Sequence, residues 1–226
     1  MTDLQSLPPL LRVGHPVAER AILVGDPGRA LAVAQELLDG PLMSNHSRGL
    51  WGYTGTAGDG AALSVLATGT GGPSAAAVLR ELHAAGVRRV VRAGSALALD
   101  GAVGAGELRL VSFAAAYDGT SRALGLAGGA ELVPDAAILG RLRAAGLRET
   151  GVVSVDLLPA DGGPAVPAHP GASAVDRQSA PLLAAAARLG VPAAVVLAFP
   201  GGAEDEDARK AWWSAVGAAA AAGLGD

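Results

Sequence analysis

The residues most able to do chemistry in this 226-residue chain are arginines set in glycine-rich turns. In Gly25-Asp26-Pro27-Gly28-Arg29, Gly25 lets a backbone approach an anion closely. A helix beginning at Pro27 points N–H groups and the positive end of its dipole at the same place, and Arg29 adds a bidentate donor. That combination cradles an oxyanion; alone, it is also an ordinary strand-to-helix turn with a surface arginine. A second stretch, Val90-Val91-Arg92-Ala93-Gly94-Ser95, sets one charge in an otherwise apolar strand. A buried guanidinium without a partner costs several kcal/mol, on the order of a buried ion's desolvation, so Arg92 demands an anion. That anion is either a ligand or a carboxylate of the core. Gly94 and Ser95 offer a backbone N–H and a hydroxyl at the strand end, where ligands collect in open α/β sheets. A third arginine, Arg48, stands in the loop Asn45-His46-Ser47-Arg48-Gly49 and by itself reads as solvated.

Positioning these groups requires alternating strands and helices, which the sequence supplies. Strands are expected over Ala21–Gly25, Arg89–Ser95, Leu108–Ala114, Val152–Asp156 and Ala193–Phe199, with a hairpin of Tyr53–Ala57 and Leu63–Thr68 across Gly58-Asp59-Gly60. Helices are expected over Pro27–Leu38, Pro73–Ala85, Pro134–Ala145, Val175–Leu189 and Glu204–Ala222, and Tyr117–Glu131 and Asp161–Gly171 read as loops. No internal repeat interrupts this order, and residues 1–226 read as one domain.

Composition narrows the function. Lys and Arg number 17 against 21 Asp and Glu, a net charge of −4, so no basic field is available for a nucleic acid. Cys is absent, which excludes thiolate metal sites and Cys nucleophiles and suits a cytoplasmic address. Lys occurs once, at Lys210, so a P-loop is excluded and a Schiff base would rest on one residue of a helix surface. His46, His83 and His169 lack metal-ligand spacing, and no metal is expected. Pro181–Phe199 carries Arg188 and is broken by Gly190 and Pro192, so it is a helix and a strand rather than a membrane span, and Met1–Leu11 lacks the pattern of an export signal. Gly69–Gly72 does not complete a dinucleotide-binding fingerprint, since Ser74 stands where its last glycine belongs. Trp212 and Trp213 read as packing onto the body or a partner.

Taken in order, Gly25-Asp26-Pro27-Gly28-Arg29-Ala30, Arg48-Gly49 with Gly52-Tyr53-Thr54-Gly55-Thr56, Gly69-Thr70-Gly71-Gly72-Pro73-Ser74 and Arg92-Ala93-Gly94-Ser95 resemble the purine nucleoside and uridine phosphorylases, the nucleoside phosphorylase-I family. The resemblance is strongest over residues 20–100 and continues to about Phe199. It implies an α/β/α sandwich around a central mixed sheet, with no cofactor and with inorganic phosphate as co-substrate. It assigns phosphate to Gly25, Arg29, Arg92, Gly94 and Ser95, with Arg48 supplied by a neighbouring subunit of a homo-oligomer, a dimer or trimer of dimers. Around a nucleoside-like molecule it places Thr70, Arg177 and Gln178 at the ribose, and Leu158, Val175 and Asp176 at the base.

The sequence also departs from the family. Val175-Asp176-Arg177-Gln178 stands where the family has Val-Glu-Met-Glu, and Pro200-Gly201 replaces the Ser-Asp that protonates a purine. Leu158 replaces the aromatic that stacks on the base, and the early His has no counterpart near Pro9 and Leu10. Glu204 or Asp205 could supply the missing acid from the start of the last helix. Three readings follow: a phosphorylase, a family member repurposed to bind phosphate or a phosphorylated metabolite, and, least suited to the arginines, a nucleosidase using water. Neither base class is favoured.

Overall fold

The computed structural model describes residues 9–99, 101–200 and 206–225. The chain opens with β1 (Arg20–Val24), buried at every position, and turns directly into α1 (Pro27–Leu37). The turn is built locally: Asp26 is the N-cap and accepts from the Arg29 N–H at 3.0 Å, and Pro27 begins the helix, where its missing donor costs nothing. Next come β2 (Leu38–Asn45), β3 (Gly52–Ala57), β4 (Ala62–Ala67), α2 (Gly72–Ala84), β5 (Arg89–Ser95) and the two-residue β6 (Leu97–Ala98). The second half holds β7 (Leu108–Ala116), α3 (Gly119–Ala123), β8 (Ala130–Leu132), α4 (Ala136–Ala144) and β9 (Arg148–Ser154). It closes with β10 (Ala172–Asp176), α5 (Ser179–Leu189), β11 (Ala193–Ala198) and α6 (Glu206–Ala222).

Eleven strands form one mixed sheet in the order β2-β3-β4-β1-β5-β11-β7-β9-β10-β6, with β8 paired to β7. β4, β1, β5 and β11 run parallel, and β7 turns antiparallel to β11 before β9 and β10 follow it in parallel. β6 continues β5 after a single residue yet pairs with β10 at the far end of the order. The sheet therefore curls back on itself, and the end of β10 reaches the mouth of β5. α2, α3 and α5 cover one face and α1, α4 and α6 the other, each burying its own apolar cluster against the sheet. This is the mixed α/β sandwich that the element pattern implies.

Three segments differ from the sequence-based reading. Ala172–Asp176 is a strand, and the helix expected from Val175 starts only at Ser179. Asp176 fixes that boundary, because its carboxylate takes the Ser179 N–H at 3.1 Å and the Ser179 hydroxyl at 2.7 Å. The Tyr117–Glu131 stretch contains α3, capped by Asp118, and the start of β8. β2 escapes an alternation test because its middle five residues are exposed along a sheet edge. The residues expected to start the last helix, Glu204 and Asp205, lie outside the described residues, as does Gly201. Among the described residues, no helix is long and apolar enough to cross a membrane.

The contact that matters most to the site is between α1 and α6, where a Cβ added to Gly217 would lie 2.5 Å from Val33 Cγ1. In an isolated helix, Gly→Ala stabilises by about 1 kcal/mol. Here Gly217→Ala is expected to destabilise instead, by about 1–2 kcal/mol from overpacking. Urea denaturation checks the sign.

Candidate functional site

At the carboxyl end of β5, Arg92 is 6% exposed, and its environment is specified from three sides. Residues 92 and 94 face the same side of the strand. A Cβ on Gly94 would overlap Nη1 and Cζ of the guanidinium, so glycine is the residue that lets Arg92 lie flat across the strand end. Asp176, at the end of β10, sits 3.3 Å from Nη2 and is itself 3% exposed. Gln178 Oε1 accepts from the same Nη2 at 3.2 Å. Nη1, equally buried, has no hydrogen-bond partner. Burial pulls the Arg92 guanidinium below the ordinary arginine range, and Asp176 opposes that shift.

The Asp176 carboxylate is saturated. Besides Arg92 it accepts from Ser154 Oγ at 2.7 Å and from the backbone and hydroxyl of Ser179. A core carboxylate thus takes one amino group, while the other, Nη1, is buried against Gly94 without a hydrogen-bond partner; Arg92 also helps line a cavity of about 700 Å³.

Arg29 lines the same cavity from the first turn of α1. Its guanidinium carbon lies 3.5 Å above the centre of a Trp213 ring, a cation–π contact that ties its position to α6. Burial, and secondarily the charge of Arg92, bring Arg29 down to about 10, with Asp26 pulling the other way. Both guanidiniums remain charged at neutral pH. Gly25 and Ser95 complete the wall.

The rest of the cavity is formed by Thr70 of the glycine-rich loop, by Leu158 and Val175, and by Asp176, Arg177 and Gln178. Arg177 is partly exposed and ion-paired with Asp161. Two expected residues stand apart. Gly94 acts beneath Arg92 rather than at the opening, and Arg48 is exposed in the turn Ser47–Gly49, away from the cavity lining. Arg48 adopts φ 57° and ψ 22°, and among the described residues it is the sole non-glycine in the left-handed region. Such a backbone costs on the order of 1 kcal/mol and favours a constrained, functional turn.

Sequence reasoning missed the contribution of α6. Trp213 and Lys210 line the cavity opposite Gln35 and Ala32 of α1. Their spacing of three residues places both on one helix face, a signal available in the sequence but without an assigned neighbour.

The mixed sheet and the arginine-lined cleft at its strand ends define an α/β protein equipped to receive a small anion. The chain matches the Phosphorylase superfamily over residues 19–224 and belongs to that family. Purine nucleoside phosphorylase DeoD-type from Streptococcus pneumoniae (strain CGSP14) is 40% identical over 100 residues, 44% of this chain and 42% of that protein. The protein of the same name from Streptococcus uberis is 41% identical over 105 residues, 46% of this chain and 44% of its own length. The matched stretch thus spans less than half of those relatives. Uridine phosphorylase from Vibrio fischeri ES114 shares the fold, with a TM-score of 0.77 at 20% identity over 97% of both chains.

Because glycine at position 94 is a steric requirement of the Arg92 pose, Gly94→Ala must expel the guanidinium and strand Asp176 as a buried, unpaired charge. The expected loss is about 3 kcal/mol, read by urea denaturation. A loss below about 0.5 kcal/mol, the range of an ordinary surface change, would contradict this packing.

Proposed function

We propose that this chain is a pentosyltransferase of the nucleoside phosphorylase type, cleaving a nucleoside with inorganic phosphate to a pentose 1-phosphate and a base. The observation that carries the reading is the convergence of Arg92 and Arg29, from separate elements, on the lining of one cavity together with Gly25 and Ser95. An inorganic phosphate in that cavity takes charge-assisted hydrogen bonds from the guanidiniums and hydrogen bonds from the Ser95 hydroxyl and the Gly28 N–H at the start of α1.

The chemistry asks little covalent work of the protein. A phosphate oxygen forms a bond to C1′ as the C1′–N bond breaks, the bonding pair leaves with the base, and the base nitrogen takes up the proton that hydrogen phosphate gives up on becoming the ester dianion. The sugar passes through an oxocarbenium-like state that the adjacent phosphate charge stabilises. No cofactor takes part. Of the residues assigned to the base, Leu158 and Val175 give the cavity an apolar wall, while the Asp176 carboxylate is tied to Arg92, Ser154 and Ser179.

A homo-oligomer accounts for Arg48. The residue is exposed, held in a left-handed turn, and follows the edge strand β2, which also exposes Leu42 and Met43. In this reading it reaches the phosphate of a neighbouring copy. The cytoplasm, where a chain without cysteine needs no oxidising conditions, is the proposed compartment.

Incubation with a panel of purine and pyrimidine nucleosides tests the reading: base release is expected with phosphate and not without it. Phosphate binding with no turnover on any nucleoside would leave a phosphate-binding protein instead. Release independent of phosphate would point to hydrolysis. Arg29→Ala removes a charged donor worth roughly 1.5–3 kcal/mol, so the KM for phosphate should rise by about 10–100-fold. Arg48→Ala should also raise it, but only in an assembly that light scattering shows to be larger than one chain.

A further inference from the structure

Gln178 is 5% exposed, and its side chain is fully committed within the protein. Nε2 donates toward Gly69 O at 2.9 Å, Gly71 O at 3.2 Å and Thr68 Oγ1 at 3.3 Å, while Oε1 accepts from Arg92 Nη2 at 3.2 Å. The same oxygen lies 3.4 Å from the place a Cβ on Gly25 would take, which puts it at the edge of the anion cradle. An amide has two donors and one acceptor group, and here both kinds are already used. Both hydrogens are used, so no donor remains for a sugar hydroxyl, and Oε1, with one lone pair left, is held on Arg92.

We infer that Gln178 is a positioning residue of the anion site: it staples the glycine-rich loop to Arg92 and, through Nη2, holds the guanidinium in place at the cavity wall. This rests on the reading of the cavity as a phosphate site. It assigns position 178 to the phosphate half of the reaction rather than to the pentose.

Amide chemistry makes the assignment testable, because a carboxylate cannot replace it. In Gln178→Glu an ionised carboxylate would face the Gly69 and Gly71 carbonyls with no hydrogen to offer, opening the loop, and would neutralise Arg92. A protonated carboxyl restores the pattern, its O–H donating to a loop carbonyl and its C=O accepting from Arg92. The charged groups lining the cavity around position 178 are Asp26 at the cap of α1, Arg29 on α1, Arg92 on β5, Asp176 and Arg177 at the end of β10, and Lys210 on α6. Among the described residues no histidine lines the cavity, so none of these is an imidazole that titrates between pH 5 and 8.

Sulfate, which keeps its charge over that range, is the probe, with phosphate beside it at neutral pH. Affinity is read from the thermal shift produced by titrated anion. The wild-type chain should bind sulfate at pH 7.5 and pH 5. Gln178→Glu should bind about tenfold or more weakly at pH 7.5, the scale of one lost charge-assisted hydrogen bond, and recover toward wild type at pH 5. Gln178→Met, similar in shape but without donors, should be weak at both pH values and decides the matter if the Glu variant fails to fold. Wild-type affinity in either variant at pH 7.5, or a deficit in the Glu variant that acid does not relieve, would overturn the inference. Absence of sulfate and phosphate binding by the wild-type chain would instead defeat the phosphate-site reading itself. A pentose-gripping role predicts the opposite pattern: unchanged sulfate binding and improved nucleoside binding in Gln178→Glu.

Discussion

The burial of one guanidinium organises the site. Arg92 sits at the end of a central strand with water almost wholly excluded, and the desolvation of its charge has to be offset by fixed neighbours. Three features of the fold serve that need at once: the missing Cβ at Gly94, the carboxylate of Asp176 and the amide oxygen of Gln178. They compensate one amino group, and the other is buried over Gly94 without a hydrogen-bond partner. A guanidinium held rigidly at a cavity wall is preorganised, since the cost of placing it has been met in folding.

Arg29 reaches the same cavity by a different route. It is not locked into the sheet but rests on an indole, and the indole belongs to the last helix of the chain. The docking of α6 on α1 is therefore part of the chemistry, because it sets where the second guanidinium lies. Two like charges in one cavity repel, and the downward pull of Arg92 on Arg29 records this. An anion between them relieves the repulsion and gains hydrogen bonds from both.

The sugar and base half is organised on other principles. Asp176 and Gln178 serve the interior rather than a ligand, Arg177 is tied to Asp161, and the remaining wall is aliphatic. The family accounts for the scaffold, while the side chains along the cleft are read from this chain alone. Family membership and mechanism are separable here, since a site is defined by its side chains and not by the sheet that carries them.

Much of the cradle was legible in the sequence. Gly25, Arg29, Arg92 and Ser95 stand in short motifs whose geometry is local, a strand ending in a tight turn onto a helix and a strand ending in glycine and serine. Local propensity also determined most of the sheet and helices, because continuous apolar runs and capped Ala/Leu stretches state their own conformation. The partners of those residues were decided only by tertiary structure. Gln178 is 86 residues from Arg92, the counter-ion of Arg92 comes from β10, beyond β11, β7 and β9 in the strand order, and the ring beneath Arg29 lies in the final helix. The same non-locality explains why Ala172–Asp176 reads as the approach to a helix yet forms a strand. Its conformation is set by pairing with β9 and β6, and a pairing partner leaves no mark on the sequence of the strand it captures.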